Sequence, residues 1–299
     1  MARSRKGRPI HGWLILDKPE GWTSTRAVGR VRHLLGAAKA GHGGTLDPLA
    51  TGVLPIALGE ATKAIPFVMG AKKHYRFHVR WGEERDTDDS QGLVVQSSDA
   101  RPSAEDIGAL VPRFTGRVAQ VPPAFSAVKV DGQRAYALAR EGAPATLAAR
   151  DVVIDRLELV EIVEDRAVAV FEIACGKGTY VRALARDMGR LLGCFGHVCW
   201  LRRTAVGGFT QAQAISLDKL EHLVHSPPLN GFLLPVETAL DDIPALAVTG
   251  GEADRLRSGQ TVRVPSSKHG TVYVMAHGQL VALAELSDGE LRPFRVFRL

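Results

Sequence analysis

Apolar and polar positions repeat along this chain with two different periods, and the periods divide it into strands and helices. His11-Gly12-Trp13-Leu14-Ile15-Leu16-Asp17 is a nearly unbroken apolar run and reads as a buried strand, which Lys18-Pro19-Glu20-Gly21-Trp22-Thr23-Ser24 ends in a turn. Ser24 is the expected N-cap of the helix that follows. In that helix Val28, Val31, Leu34 and Leu35 recur at helical spacing with Arg26, Arg30 and Arg32 off the apolar face, and Gly36 stops it. Lys72 to Trp81 switches to period two, which places Tyr75, Phe77, Val79 and Trp81 on one face of a strand. Ser103 to Val111 predicts a helix opened by a Ser103/Asp106 capping pair and closed by Pro112. Val152 to Ile162 and Ala167 to Cys175 are β-rich runs on either side of Val163-Glu164-Asp165-Arg166, a hairpin signature. Gly176 to Gly189 joins the second of these strands to a helix, and Ile215 to Val224 predicts another, broken by Pro227-Pro228. Beyond Leu240-Asp241-Asp242-Ile243-Pro244, a short helix from Thr249 to Leu256 precedes four short strands, a small β-barrel pattern. The class is α+β, with a boundary that gives domains 1–244 and 245–299.

One stretch fits neither period. In Gly41-His42-Gly43-Gly44-Thr45-Leu46-Asp47-Pro48 the three glycines suggest a tight loop against which another backbone or a ligand can lie. Pro48 bars Asp47 from the helical region and so fixes how its carboxylate leaves the chain. Taken alone, the stretch reads equally as a glycine-rich turn with a solvated aspartate. Two other glycine-containing segments fail as known ligand loops. Lys177 is followed by Gly178 where a phosphate loop needs Ser or Thr, and in Asp86 to Gly92 the position a calcium loop reserves for glycine holds Gln91. The latter is expected to be a polar turn.

Composition bounds the function. A chain of 299 residues, 45% hydrophobic and 23% charged, is long enough for one large core and a small second domain. No apolar run reaches membrane-spanning length, and the basic N-terminus leads into no long apolar segment, so a cytoplasmic protein is expected. Cys175, Cys194 and Cys199 lack paired metal-ligand spacing, and His197 between the last two has no fourth ligand beside it; no metal is expected. The net charge is +6, and residues 1–40 hold nine Lys or Arg against two acids while the rest of the chain is nearly neutral. Residues 2–8 read as a solubilising tail, whereas Arg26, Arg30, Arg32 and Lys39 fall where repeated cations can follow a phosphate backbone.

His42-Gly43-Gly44-Thr45-Leu46-Asp47-Pro48-Leu49-Ala50-Thr51-Gly52 closely resembles the catalytic motif of the TruB family of tRNA pseudouridine synthases. The resemblance continues, in family order, through the Lys18 to Ser24 turn, Lys73-His74-Tyr75, the Asp86 to Asp89 turn, the segment from Gln120 to Tyr136, Gly178-Thr179-Tyr180-Val181-Arg182, and Cys199 to Phe209. It implies a mixed, mainly antiparallel central sheet with flanking helices, a thumb-like RNA-gripping insertion at about 120–150, and a PUA-like RNA-binding domain at 245–299. It implies that Asp47 is the nucleophile, that Arg182 pairs with it, that Tyr75, Tyr180 and Leu201 line the uracil pocket, and that His42 stacks in the RNA loop once the target base is flipped out. Lys18, Arg26, Arg30, Lys39, Lys129 and Arg134 are the candidate RNA contacts. From the residues alone, Tyr75 reads first as a core aromatic and Arg182 as a surface helix charge, while Lys129 and Arg134 read equally as solvated cations. The resemblance further implies that the Asp86 to Asp89 turn pairs with basic residues near the site, and that the substrate is the T-loop uridine of tRNA, nucleotide fifty-five by convention, isomerised with no cofactor by a monomer that needs no protein partner. Two rivals stay open: a non-catalytic RNA-binding or folding module, and a guide-RNA-dependent relative with a similar core.

Overall fold

The computed structural model describes residues 7–130, 132–143, 145–163, 165, 167–224 and 231–299. The basic segment before Gly7, the Pro227-Pro228 break and part of the hairpin turn at 164–166 lie outside the described residues.

Among the described residues an eleven-stranded mixed sheet runs in the order Ile215–Ser216, Gly12–Lys18, Thr51–Leu58, Gly196–Val206, Lys73–Trp81, Val168–Cys175, Arg150–Val163, Gly116–Gln120, with three short strands off this path. Its pairings are antiparallel except for Gly12–Lys18 with Ile215–Ser216 and Gly196–Val206 with Thr51–Leu58. The Gly12–Lys18 strand is apolar from Trp13 to Leu16, where both its faces are covered. Leu14 and Leu16 enter one cluster with Val31, Phe77, Phe171, Leu184 and Leu201, while Trp13 and Ile15 enter a second with Val53, Ala57 and Phe209.

That second cluster also takes in Leu280, Leu283 and Phe297, so the C-terminal sheet is seated on the back of the large one. The C-terminal sheet is a curled half-barrel of five strands, Ala245–Ala247, Gly270–Ala276, Gln279–Ser287, Glu290–Val296 and Val262–Arg263 in spatial order. Its first strand went unforeseen, since three residues are too few to show a period. Lys63 Nζ to the Val296 carbonyl (2.7 Å) and the Arg298 amide to Glu60 Oε2 (2.8 Å) tie its end to the turn Gly59–Lys63.

Three local expectations are corrected. Thr23, not Ser24, caps the helix Ser24–Leu35, its side chain accepting from the Arg26 amide. Ser24 is buried inside the first turn, and its hydroxyl both donates to and accepts from the main chain of Leu46 (3.0 and 2.8 Å). Pro112 lies within a 3-10 turn, Val111–Phe114, that prolongs the helix Ala104–Leu110, because proline lacks only an N–H that a first turn does not need. Ile215 and Ser216 pair as a strand with Leu16 and Asp17, and the helix begins at Leu217. The Ser103/Asp106 capping box and the left-handed Gly36 C-cap (φ 61°) form as the sequence predicts.

Phe77 and Phe171 stack across adjacent strands at the centre of the sheet, with ring centroids 5.3 Å apart and neither side chain exposed. Phe77→Ala is expected to destabilise the protein by about 3–5 kcal/mol, measured as a lower denaturant midpoint with unchanged slope.

Candidate active site

The strand Ala40–His42 pairs with Ile56–Leu58, and between it and Thr51 the chain makes the loop that carries Asp47. Glycine is required here by close approach: a Cβ on Gly43 would lie 2.5 Å from a Val68 methyl, and Gly44 has φ +131°. Other parts of the chain hold the loop by its carbonyls. Arg203, fully buried, donates from Nε to Val53 (2.8 Å), from Nη1 to Thr45 (3.3 Å) and from Nη2 to Gly44 (3.1 Å). Lys18 Nζ reaches the carbonyls of Pro19 (2.9 Å), Trp22 (2.7 Å) and Pro48 (3.3 Å). With Ser24 on Leu46, the main chain is fixed on both sides of Asp47, whose own side chain stays about a third exposed (36%).

Arg182 comes from the helix Val181–Leu191 and is 5% exposed. Its Nε donates to Asp47 Oδ2 (2.9 Å), Nη1 to the Thr87 carbonyl (2.7 Å) and Nη2 to the Phe125 carbonyl (3.0 Å), and Asp89 Oδ2 lies 3.6 Å from Nη1. The polar turn thus does pair with basic residues: Asp89 faces Arg182, and Asp88 faces Arg186 at 3.0 Å. One guanidinium joins the Asp47 loop, the acidic turn and the start of the 120–150 insertion.

Tyr75 sits across from Arg203 on one neighbouring strand and Ile173 on the other. Burial raises its phenol pKa, with the Arg203 guanidinium acting against that, so it stays neutral. Tyr180 precedes the Arg182 helix, and the buried side-chain amide of Gln120 clamps its main chain, accepting from its N–H (2.8 Å) and donating to its carbonyl (3.1 Å). Its phenol is likewise raised by burial. Both tyrosines lie close enough to feel the Asp47 charge. Leu201 is 5% exposed, packs in the main cluster opposite Phe77, and takes a hydrogen bond from Thr51 on its carbonyl. His42 ends the short strand leading into the loop. Burial and then Arg203 lower its pKa, which leaves a neutral ring, and its buried Nδ1 has no hydrogen-bond partner.

The candidate RNA contacts divide. Lys18 is corrected: it is fully buried and spends its three donors on loop carbonyls, so it offers no charge to a phosphate. Arg30 is committed to Glu221 through two hydrogen bonds (2.9 and 2.7 Å). Arg26 is exposed and lies over the Trp22 ring, 3.9 Å from its centroid; Lys39 is half-buried, and Lys129 and Arg134 are exposed. Arg203, Gln120 and Lys73 carried no sequence-level role. Arg203 had a signal, for it stands two residues beyond Leu201 on a strand and therefore faces the same interior. Among the described residues no cluster of three or more His, Cys, Asp or Glu side chains could hold a metal ion, and no helix is long and apolar enough to cross a membrane.

Burial, opposed by Asp47 and reinforced by Arg203, pushes the Lys18 ammonium down to about 8 from 10.5; burial and Arg203 do the same to Lys73. Between those values the unfolded chain holds the proton and the folded one does not, so each lysine makes stability rise with pH across that window and loses that contribution as pH falls through about 8. NMR titration of the side-chain carbons should give midpoints near 8 for both; a midpoint near 10.5 would show the ammonium groups to be solvated.

The TruB family pseudouridylate synthase N-terminal domain matches residues 32–181, and the tRNA pseudouridylate synthase B C-terminal domain matches residues 182–241. The tRNA pseudouridine synthase B of Nitrobacter winogradskyi is 58% identical over 99% of this chain and 85% of its own length, and that of Caulobacter vibrioides is 52% identical over the full length of both. In fold, the chain is similar to a crystal structure of a Cbf5-Nop10-Gar1 complex, at a TM-score of 0.74 and 26% identity over 96% of this chain and 84% of that one. A crystal structure of the archaeal box H/ACA sRNP Nop10-Cbf5 complex gives the same TM-score at 24% identity, covering 100% and 93%. With both of its domain types matched in order, and relatives more than half identical along nearly all of its length, the chain belongs to the TruB family of pseudouridylate synthases.

Proposed function

We propose that this protein isomerises the T-loop uridine of tRNA, nucleotide fifty-five by convention, to pseudouridine, with Asp47 as the catalytic carboxylate. The observation that carries the reading is the contact between Asp47 Oδ2 and the buried Arg182 guanidinium at 2.9 Å. A guanidinium at that distance sets a positive charge beside the loop's carboxylate and fixes its orientation. Because Arg182 takes only one carboxylate oxygen, through Nε, Asp47 remains open to a substrate on its exposed side.

The reaction breaks the N1–C1′ bond of the uridine, turns the freed base in the pocket and joins C5 to C1′, while the C5 proton is lost to solvent. Nothing is oxidised or hydrolysed, so no cofactor enters. Asp47 starts it by attack on C1′, by addition to C6 of the base, or by removing a ribose proton; its single charge serves all three. Tyr75 and Tyr180, kept neutral by burial, are placed to hold the ring of an everted uracil, and Leu201 gives the pocket an apolar wall. His42, uncharged and at the margin of the loop, is suited to stack in the space the uridine leaves. Arg26, Lys39, Lys129 and Arg134 supply phosphate contacts, and residues 245–299 a second RNA-binding domain; the working unit is a cytoplasmic monomer. Close identity to relatives named as tRNA enzymes favours a standalone synthase over a guide-dependent one.

Purified protein and a tRNA transcript, with no other RNA, should give pseudouridine at that one position; a strict requirement for added RNA or protein would reject the standalone reading. Asp47→Asn is expected to reduce single-turnover conversion to background while tRNA affinity stays within about three-fold, since phosphate contacts and stacking supply the binding. Arg182→Lys should be intermediate, because lysine keeps the charge and loses the fork that spans Asp47, Thr87 and Phe125. Removing Lys129 and Arg134 together should weaken binding and reduce its salt dependence by about one log–log unit per lost phosphate contact, with the rate at saturating enzyme within about two-fold of wild type. An unchanged salt slope would remove both from the interface.

A further inference from the structure

Three arginines occupy one face of the helix Val181–Leu191 at spacings of four, Arg182, Arg186 and Arg190, and each meets an acid of the segment 84–89. Arg190 takes Glu84 at the far end, Arg186 takes Asp88, and Arg182 takes Asp89 beside Asp47. The middle rung is nearly closed from solvent, with Asp88 5% and Arg186 7% exposed. Arg186 has no donor face to spare: Nη1 meets Asp88 (3.0 Å), Nε meets Asp187 (2.8 Å), and Nη2 meets the carbonyl of Val121, four residues before the Phe125 carbonyl that binds Arg182.

The backbone is bent to make this rung. Asp88 has φ 59°, in the left-handed region. Successive residues of an extended chain face opposite ways, and the left-handed turn at Asp88 is what lets Asp88 and Asp89 both face the arginines. On its other side the turn is fixed to the central sheet, the Val198 amide donating to the Asp88 carbonyl (3.1 Å) and the Ser90 amide to the Val198 carbonyl (3.0 Å).

We propose that Asp88 is a positioning residue for catalysis: by holding the Arg186 fork it sets the acidic turn and the start of the insertion against the helix, and so fixes the acceptors that aim Arg182 at Asp47. The proposal rests on Asp47 being the catalytic carboxylate. A structural acid would be kept for stability, and here the balance runs the other way. Burial pushes the Asp88 carboxyl up to about 6 from 3.8, past the opposing pull of Arg186 and then Arg182, with Glu84 and Asp187 adding to the rise. A carboxyl whose folded pKa is raised contributes stability that is fully present below 3.8 and lost as pH rises through about 6. At neutral pH the protein therefore carries this charge against its own stability, which makes sense for a charge used in alignment.

The test is Asp88→Asn, since asparagine keeps the shape, tolerates the left-handed backbone and stands in for the protonated carboxyl. Single-turnover conversion of tRNA at saturating enzyme, tRNA affinity and thermal midpoint are measured from pH 5 to 8 beside wild type and Asp47→Asn. Near neutral pH the variant should convert tRNA about ten-fold or more slowly, bind it within about three-fold, and melt no lower than wild type. The wild-type rate should fall with acid through about pH 6, and that limb should be missing from the variant. Arg186→Lys should fall between the two in rate. A wild-type rate with the same acid limb, or a variant that melts lower or fails to fold, would overturn the proposal and leave Asp88 a structural acid. Failure of wild type itself to convert tRNA would reject the functional reading instead.

Discussion

The site depends on one buried guanidinium. Arg182 brings a delocalised charge into a nearly closed interior, which is tolerable only where its donors meet acceptors in the plane of the fork. It meets a carboxylate on the Gly43–Ala50 loop, a carbonyl of the acidic turn and a carbonyl of the insertion, three segments far apart in sequence. A buried ion pair of this kind is poor evidence for stability, because desolvation offsets much of the attraction. It is a strong constraint on geometry, since displacing any one acceptor leaves a donor of a side chain only 5% exposed without its partner.

The same logic organises the Asp47 loop. Its main chain turns several carbonyls inward, and each needs a donor. Arg203 and Lys18 supply them from the central sheet and the first strand, so two of the most enclosed cations in the molecule serve the backbone instead of a ligand. Their charge still reaches the site: Arg203 lowers the His42 pKa, and also opposes the rise that burial imposes on Tyr75. Burial keeps the Tyr75 and Tyr180 phenols neutral, and burial with Arg203 keeps His42 neutral, around Asp47.

The central sheet makes this precision possible. With apolar clusters on both faces, the Gly12–Lys18 and Thr51–Leu58 strands cannot slip register without moving buried side chains into the wrong layer. The loop leaves and rejoins the sheet at fixed points. The C-terminal half-barrel closes the back of that sheet through Leu280, Leu283 and Phe297, away from the face that Tyr75 and Leu201 share.

Much of this was written locally in the sequence. Period-two alternation up to Trp81 and helical spacing from Val28 to Leu35 gave elements in which Phe77, Val79, Trp81, Val31 and Leu35 are buried and Tyr75, Val28 and Leu34 partly so, because side-chain direction follows backbone geometry at short range. The Gly-rich approach to Asp47 and the proline after it likewise marked a presented carboxylate. Which charges would meet was a different matter. Lys18 looked like a cation for phosphate and proved to be a bracket for carbonyls, Arg30 was taken up by Glu221, and Arg203 stood in a quoted motif with no role. A charged side chain chooses its partner by proximity after the chain has folded, and Arg182 and Asp47 are separated by 135 residues. Most of the elements and the place of the carboxylate were determined by the sequence, and the family resemblance set Arg182 beside it; the donors that hold the loop, Arg203 and Lys18, and the match of each acid to its arginine were decided by the packing of the sheet, because such contacts exist only once distant strands are in place.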